Sequence, residues 1–137
     1  MFVTGIVGVF APDGGRLEYV NAGHILPIVI RDAAAEELGR PANPPLGILP
    51  QSFTADELEM QPGWGLVLVT DGVTEARRPD GEQLNPDGLV KLLAAEPGDS
   101  AGTLVQRVAE GARRHRATAP QQDDVTILAI RRREGRQ

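Results

Sequence analysis

The sequence predicts an α+β fold built on antiparallel β-sheets. Short strand-like segments separated by turn residues fill the chain up to about residue 70. Two segments with apolar residues at helical spacing follow between residues 85 and 116, and one more apolar strand returns at residues 125–130. Strands and helices that are segregated along a chain favour an α+β fold over a doubly wound parallel sheet.

The first three strands are predicted within the N-terminal 31 residues. Residues 3–10 and 16–22 are rich in strand-forming side chains, and Pro12-Asp13-Gly14-Gly15 between them is a strong turn sequence. The two segments should therefore form a hairpin. A third strand is expected at residues 25–31. Because Pro27 cannot donate a hydrogen bond to a neighbouring strand, we expect an edge position or a bulge there.

Irregular surface chain is predicted next, and two strands after it. Residues 32–50 contain a run of alanines and then four prolines. A strand is expected between residues 53 and 60, before the turn at Pro62-Gly63. Residues 66–70 read Leu-Val-Leu-Val-Thr. A continuous apolar run of this length is typical of a strand that is buried on both faces.

Two helices are predicted in the second half of the chain. Asn85-Pro86 supplies an N-cap and a proline at the first helical position, and Pro97-Gly98 should stop this helix. A second helix is expected over residues 100–116, with Glu110 and Arg114 at a supportive spacing of four on its charged face. Its predicted apolar face consists of Leu104, Val105, Val108, Ala109 and Ala112.

Composition limits the possible functions. The 137 residues are 41% hydrophobic, enough for the core of one domain. A net charge of −5 and an aromatic content of 4% disfavour nucleic acid as a partner. The absence of cysteine excludes disulfides, zinc–thiolate sites and a cysteine-phosphoenzyme. No signal peptide or membrane-spanning run is visible, so we expect a cytoplasmic protein without a membrane span.

The C-terminus is strongly basic. Arg131, Arg132, Arg133 and Arg136 follow the last predicted strand. We assign residues 1–131 to the domain and residues 132–137 to a basic flexible tail in solvent, with a basic recognition patch as the alternative.

Two acidic clusters adjoin apolar strands. Asp71 follows the strand at residues 66–70, and Asp123 and Asp124 precede the strand at residues 125–130. If the strands are neighbours in one sheet, the carboxylates of Asp71 and Asp123 should approach within about 5–6 Å. Ionised carboxylates at the rim of a core favour hard cations such as Mg²⁺ or Mn²⁺. The alternative is structural, because Asp-Gly after a strand is a common turn and Asp at a strand start can act as a cap.

The amino-acid sequences of several segments resemble those of one protein family. The chain is similar to the C-terminal part of the metal-dependent serine/threonine protein phosphatases of type 2C, in the bacterial branch typified by sporulation protein E and the stress-response sigma-regulator phosphatases. This resemblance implies two stacked antiparallel sheets flanked by helices. The matching segments, in order, are Met1-Phe2-Val3-Thr4, Tyr19-Val20-Asn21-Ala22-Gly23-His24, Pro45-Leu46-Gly47, Gln61-Pro62-Gly63, Thr70-Asp71-Gly72-Val73-Thr74-Glu75-Ala76 and Asp123-Asp124-Val125-Thr126.

The resemblance also implies roles for individual residues. Asp71 and Asp123 fall on the two C-terminal aspartates that ligate a dinuclear Mg²⁺/Mn²⁺ centre, with the backbone of Gly72 beside them. Glu75 falls near a third, weaker metal, and one helical turn would place it on the same side as Asp71. Asp124 stands where relatives carry Asn and is expected to support the ligands.

The two histidines are assigned differently. His24 is expected to cap a strand end, with proton donation to the leaving serine oxygen as the alternative. His115, among arginines on a charged helix face, is expected on plain surface.

One difference from the family has a large consequence. Relatives supply further ligands from an N-terminal Asp-Val-Ser-Gly-His-Gly type of motif, and no such motif is present here. The resemblance therefore implies an N-terminally truncated domain with part of its metal site missing. Uncovered apolar surface should then favour a dimer.

Three functions are consistent with these observations. The first is a metal-dependent phosphoserine/phosphothreonine phosphatase, or its C-terminal catalytic portion, acting on a phosphorylated anti-sigma-factor antagonist. The second is a non-catalytic binding or regulatory module that keeps the phosphatase surface. The third is a plain structural fragment.

Overall fold

The computed structural model describes residues 1–39, 43–95 and 99–135. The irregular chain expected at Pro41, the helix stop at Pro97-Gly98 and the tail position of Arg136 lie outside these ranges. No helix in the described part is long and apolar enough to cross a membrane. The elements, in chain order, are β1 (Gly5–Phe10), β2 (Arg16–Ala22), β3 (Ile28–Arg31), β4 (Ala34–Glu37), β5 (Asp56–Glu59), β6 (Gly65–Val69), α1 (Asp71–Thr74), α2 (Asn85–Ala95), α3 (Ala101–Arg116) and β7 (Ile127–Arg131).

The strands form two antiparallel sheets, which confirms the predicted fold class. The first sheet has the order β1-β2-β5 and the second has the order β4-β3-β6-β7. The predicted hairpin joins β1 to β2, with Gly5 opposite Ala22 and Phe10 opposite Leu17. The last strand, β7, returns beside β6, with Val69 opposite Ile127.

Two apolar layers hold the sheets and helices together. The core between the sheets includes Leu17 and Leu58 from the first sheet and Val29 and Leu66 from the second. A second core lies between the other face of the second sheet and helices α2 and α3; its members include Ile28, Ile30, Val67, Val69, Leu89, Leu93, Leu104 and Val108. The central strands β3 and β6 of the second sheet are thus buried on both faces, as the continuous apolar run in β6 predicts.

Two predictions about the region around β3 were wrong. β3 lies between β4 and β6, so it is not an edge strand. Pro27 precedes its first residue, where the missing N–H costs no ladder bond, and the Pro27 carbonyl accepts a hydrogen bond from Leu38 N at 2.7 Å. β4 lies within the segment expected to be irregular. Its Ala-Ala-Glu-Glu sequence has low strand propensity, and the four pairings with β3 override that propensity.

The helices follow the predicted pattern with one exception. Ser100 caps α3 by accepting a hydrogen bond from Thr103 N, and Glu110 pairs with Arg114 at 3.2 Å. Ala109 is exposed rather than buried. Gly111 is buried in its place because the Leu92 side chain of α2 occupies the space where a Gly111 Cβ would lie.

Arg132, which the sequence assigns to the tail, is hydrogen-bonded on both its backbone and its side chain. Its N–H donates to the Trp64 carbonyl at 3.0 Å, and its carbonyl accepts from Gly63 N at 2.8 Å. Its guanidinium donates to the Met60 carbonyl. Pairing with the chain before β6 therefore continues one residue beyond β7.

Apolar side chains are exposed on β1 and before it. Val7 and Val9 project from the first sheet with 69% of their surface accessible, and Met1, Phe2 and Val3 are also exposed. An exposed apolar patch of this kind is typical of a surface that contacts another protein or chain segment.

The sequence predicts that His115 lies on plain surface, but its ring makes a specific contact. Its Nε2 donates a hydrogen bond of 2.9 Å to the Glu82 carbonyl. Burial lowers the pKa of the His115 ring, the Arg78 guanidinium lowers that pKa further, and Asp80 partly opposes the change. The folded protein therefore resists protonation of this ring.

We predict that the free energy of unfolding falls as the pH is lowered below about 6.5, the ordinary histidine pKa. As the pH falls, His115 of the unfolded chain binds a proton before His115 of the folded chain does, because the folded pKa is lower. The stability that neutral His115 contributes is therefore complete above the unfolded pKa and is lost as the pH falls to the folded pKa. Urea unfolding between about pH 7.5 and 5.5 measures the slope, which should be smaller in His115→Gln. Equal slopes in both proteins would contradict this role.

Candidate metal centre

The ends of β6 and β7 are joined by hydrogen bonds through Thr70. Thr70 N donates to the Thr126 carbonyl at 3.1 Å, and Thr126 N donates to Thr70 Oγ1 at 2.9 Å. The same hydroxyl donates to the Asp124 carbonyl at 3.3 Å. One side chain thus ties the residue before Asp71 to the segment that carries Asp123 and Asp124.

Gly72 allows the two segments to touch. A Cβ added at Gly72 would lie 2.1 Å from the carbonyl oxygen of Asp124 and 3.3 Å from that of Asp123. Contacts below 3.0 Å are essentially absent for real Cβ atoms. Only glycine therefore permits the backbone at the start of α1 to pack against residues 123–124 in this arrangement.

Three carboxylates converge at this junction. Asp71, Glu75 and Asp123 each offer one oxygen, and these atoms lie within 4.8 Å of one another on the surface. The predicted convergence of Asp71 and Asp123 is confirmed. Glu75 lies one turn after Asp71, with Glu75 N donating to the Asp71 carbonyl at 2.8 Å, so both carboxylates face one side as predicted.

Asp124 lies beside this group without belonging to it. Its N–H donates to Asp123 Oδ1 at 2.8 Å, and its carbonyl accepts a hydrogen bond from the Thr70 hydroxyl. The Asp124 backbone therefore orients the Asp123 carboxylate. The Asp124 side chain is exposed.

The donor set suits a hard cation. Three converging carboxylates that are open to solvent can bind an ion and leave its remaining positions to water or to other groups. Mg²⁺ and Mn²⁺ prefer such oxygen ligands, whereas thiolates and paired imidazoles do not occur in this group. The chemistry of the residues therefore fits the metal that the sequence implies.

His24 belongs to a turn at the end of β2. Its N–H donates to Asn21 Oδ1 at 2.8 Å, and Asn21 Nδ2 donates to the His24 carbonyl at 3.1 Å. Its ring Nδ1 donates to the Ile25 carbonyl at 2.9 Å. These contacts give the Asn-Ala-Gly-His segment a structural role. The His24 ring borders a groove that Thr70 and Thr126 also line, and it is not part of the carboxylate group.

The sequence interpretation missed two arginines beside the carboxylates. A small cleft is lined by Glu75 and Asp123 and also by Arg77 and Arg116. Arg77 follows α1 by three residues and Arg116 is the last residue of α3. Their positions next to predicted elements were the only sequence signal for these two arginines. The order of residues in the chain does not show that residue 116 lies near residue 75.

The two stacked antiparallel sheets flanked by helices match the fold of type 2C protein phosphatases. The phosphatase domain of the cell fate determinant SpoIIE from Bacillus subtilis, presoaked with manganese, matches with a TM-score of 0.77 at 12% identity, over 98% of this chain and 58% of that one. The Mycobacterium tuberculosis serine/threonine phosphatase PstP matches with a TM-score of 0.60 at 17% identity, over 96% of this chain and 60% of that one. At these identities, the two matches establish the fold alone.

The chain belongs to the Stage II sporulation protein E (SpoIIE) family, whose model matches residues 1–133. Protein IcfG of Synechocystis sp. (strain ATCC 27184 / PCC 6803 / Kazusa) is 34% identical over 134 residues, which are 96% of this chain and 21% of that protein. The chain thus spans about a fifth of that relative and only part of the phosphatase fold. A further structure of the PstP catalytic domain, with a TM-score of 0.60 and 18% identity, holds 2 manganese ions; it is matched over 92% of this chain and 56% of that one.

We predict that Gly72→Ala destabilises the protein by about 1–3 kcal/mol, because the new methyl group forces the Asp124 carbonyl away. The same displacement should separate Asp71 from Asp123 and weaken Mn²⁺ binding. Thermal melts and Mn²⁺ titration measure the two effects.

Gly102→Ala is a matched control, since both glycines are second residues of helices and a Cβ at Gly102 meets only Ser100 Oγ at 3.9 Å. It should stabilise the protein by about 0.4–1 kcal/mol. If Gly72→Ala behaved like Gly102→Ala, the close packing would not hold the site together.

Proposed function

We propose that this chain forms the C-terminal part of the catalytic centre of a Mg²⁺/Mn²⁺-dependent protein serine/threonine phosphatase. The observation that carries the proposal is the convergence of Asp71, Glu75 and Asp123 within 4.8 Å at the ends of two paired strands. Membership of the SpoIIE family and the manganese-bound phosphatases of the same fold support the same chemistry.

Each residue has a distinct task under this proposal. Asp71 and Asp123 hold the ions, and Glu75 contributes to a third, weaker position. The backbones of Gly72 and Asp124 fix the distance between the two aspartates. Bound ions would supply an activated water and offset charge on the phosphoryl oxygens. His24 supports the strand end, where its ring already donates to the Ile25 carbonyl.

The proposed substrate is a phosphorylated protein in the cytoplasm, specifically an anti-sigma-factor antagonist. This identification comes from the resemblance to the sigma-regulator phosphatases. The exposed position of the three carboxylates supports a macromolecular substrate, because a phosphoserine on a protein surface can reach them without entering a deep pocket. We propose residues 1–131 as the folded unit that performs this role.

A second candidate is a binding or regulatory module without catalysis of its own. Exposed Val7 and Val9, together with the exposed residues 1–3, favour a protein contact at β1. A dimer formed through this face would be concentration-dependent in sedimentation experiments. Whether the coding DNA upstream of Met1 encodes an Asp-Val-Ser-Gly type of motif also distinguishes the two candidates, since that motif would complete the metal site.

Residues 1–137 alone should bind Mn²⁺ weakly and hydrolyse phosphoesters slowly, because three carboxylates supply only part of an octahedral shell. Asp71→Asn and Asp123→Asn should each reduce Mn²⁺ affinity by more than the roughly 10–100-fold typical for loss of a supporting residue. Glu75→Gln should have a smaller effect. Calorimetric Mn²⁺ titration and hydrolysis of a phosphoserine peptide measure these changes.

Asp87→Asn serves as the control, because Asp87 lies in the first turn of α2, outside the carboxylate group. In chelator, Asp71→Asn should raise the melting temperature by removing repulsion between close carboxylates. Near-normal Mn²⁺ binding by Asp71→Asn, or a larger loss in Glu75→Gln than in either aspartate variant, would contradict the assigned roles. Rapid turnover by the chain alone would show that its own carboxylates suffice.

A further inference from the structure

The cleft beside the carboxylates is lined by residues of both charges. Two of them are acidic, Glu75 and Asp123, and two are basic, Arg77 and Arg116. Among the described residues, neither arginine forms an ion pair with any carboxylate. Two arginines therefore share a cleft with two of the converging carboxylates and are not neutralised by them.

The basic residues at the end of α3 differ in their partners. Arg113 and Arg114 both bond to Glu110, at 2.5 Å and 3.2 Å. Arg116, in the same last turn, makes no side-chain hydrogen bond within the described chain. The guanidinium that remains available is therefore the one that lines the cleft.

Arg77 is oriented by the chain that follows it. Its Nη1 donates to the Gly81 carbonyl at 3.1 Å, which uses one of the five N–H donors of the guanidinium. The remaining donors are free of protein partners in the described chain. A fork of this geometry matches the paired oxygens of a phosphate or a carboxylate.

The size of the cleft restricts what can enter. Its volume is about 80 Å³, several times the roughly 10–15 Å³ of the same measure that one water needs. The cleft is therefore large enough for one small oxyanion. Gln121 and Gln122 also line this cleft, and a glutamine amide is a neutral hydrogen-bond donor.

We propose that Arg77 and Arg116 bind an oxyanion of the phosphorylated substrate next to the metal centre. This inference rests on the proposed function, because ions held by Asp71 and Asp123 would remove the repulsion between the carboxylates and an incoming anion. The oxyanion is either the phosphoryl group itself or a carboxylate that flanks the phosphoserine. In either case the two arginines select the substrate.

The test uses the full 137-residue chain with saturating Mg²⁺ and three probes: inorganic phosphate, a phosphoserine peptide with acidic neighbours, and the same peptide with alanine neighbours. Arg116→Gln and Arg77→Gln should each raise the dissociation constant of at least one probe by roughly tenfold. Arg113 lies on the same helix but is paired with Glu110. Arg113→Gln should therefore change no dissociation constant by more than roughly twofold, because exposed ion pairs contribute little.

The pattern across probes identifies the oxyanion. Equal losses for all three probes indicate the phosphoryl group, and loss confined to the acidic peptide indicates a flanking carboxylate. The inference is overturned if the wild-type chain binds none of the probes, or if both arginine variants bind all of them normally. Tighter Mg²⁺ binding in those variants with unchanged anion binding also overturns it, since the arginines would then only offset carboxylate charge.

Magnesium titration of the same samples separates this inference from the proposed function. Normal Mg²⁺ binding with unaffected anion binding in the variants rejects the arginine site and leaves the metal centre intact. Conversely, phosphate binding that depends on Arg116 in a chain that binds no Mg²⁺ supports the arginine site and rejects the metal centre.

Discussion

The candidate site depends on the pairing of β6 with β7. Residues 69 and 127 lie opposite each other in this pair, and Thr70 extends the hydrogen bonding to residues 124 and 126. Because the register is fixed, Asp71 and Asp123 must leave the sheet at the same end. A shift of one residue would turn the side chains of β7 to the opposite face and separate the carboxylates.

The burial of the second sheet explains why this register is specified. Leu66 faces the core between the sheets, whereas Val67 and Val69 face the helices. Both faces of β6 are therefore committed to apolar neighbours, and slippage would place polar groups against one of them. Rigid strands support charged groups at their ends more precisely than a mobile loop does, which suits a centre that must hold repelling carboxylates close together.

Sequence patterns predicted the parts of the fold that have local causes. The hairpin at Pro12-Asp13-Gly14-Gly15 and the convergence of Asp71 with Asp123 followed from turn chemistry and from apolar strands. β4 was missed because its Ala-Ala-Glu-Glu sequence forms a strand only through pairing with β3. The exposure of Ala109 and the position of Arg116 beside Glu75 also depend on tertiary packing, and no local pattern encodes them.

The close packing at Gly72 separates two roles within the sequence Thr70-Asp71-Gly72. The hydrogen bonds of Thr70 and the close packing of Gly72 hold the backbone junction together, and Asp71 is the one residue of the three that carries a carboxylate. A chain that kept Thr70 and Gly72 but replaced Asp71 would retain the same backbone junction and would still resemble its relatives. Membership of the family and competence to hold an ion are therefore separable properties, because the junction needs Thr70 and Gly72, whereas the candidate ion site also needs the carboxylate of Asp71 beside those of Glu75 and Asp123.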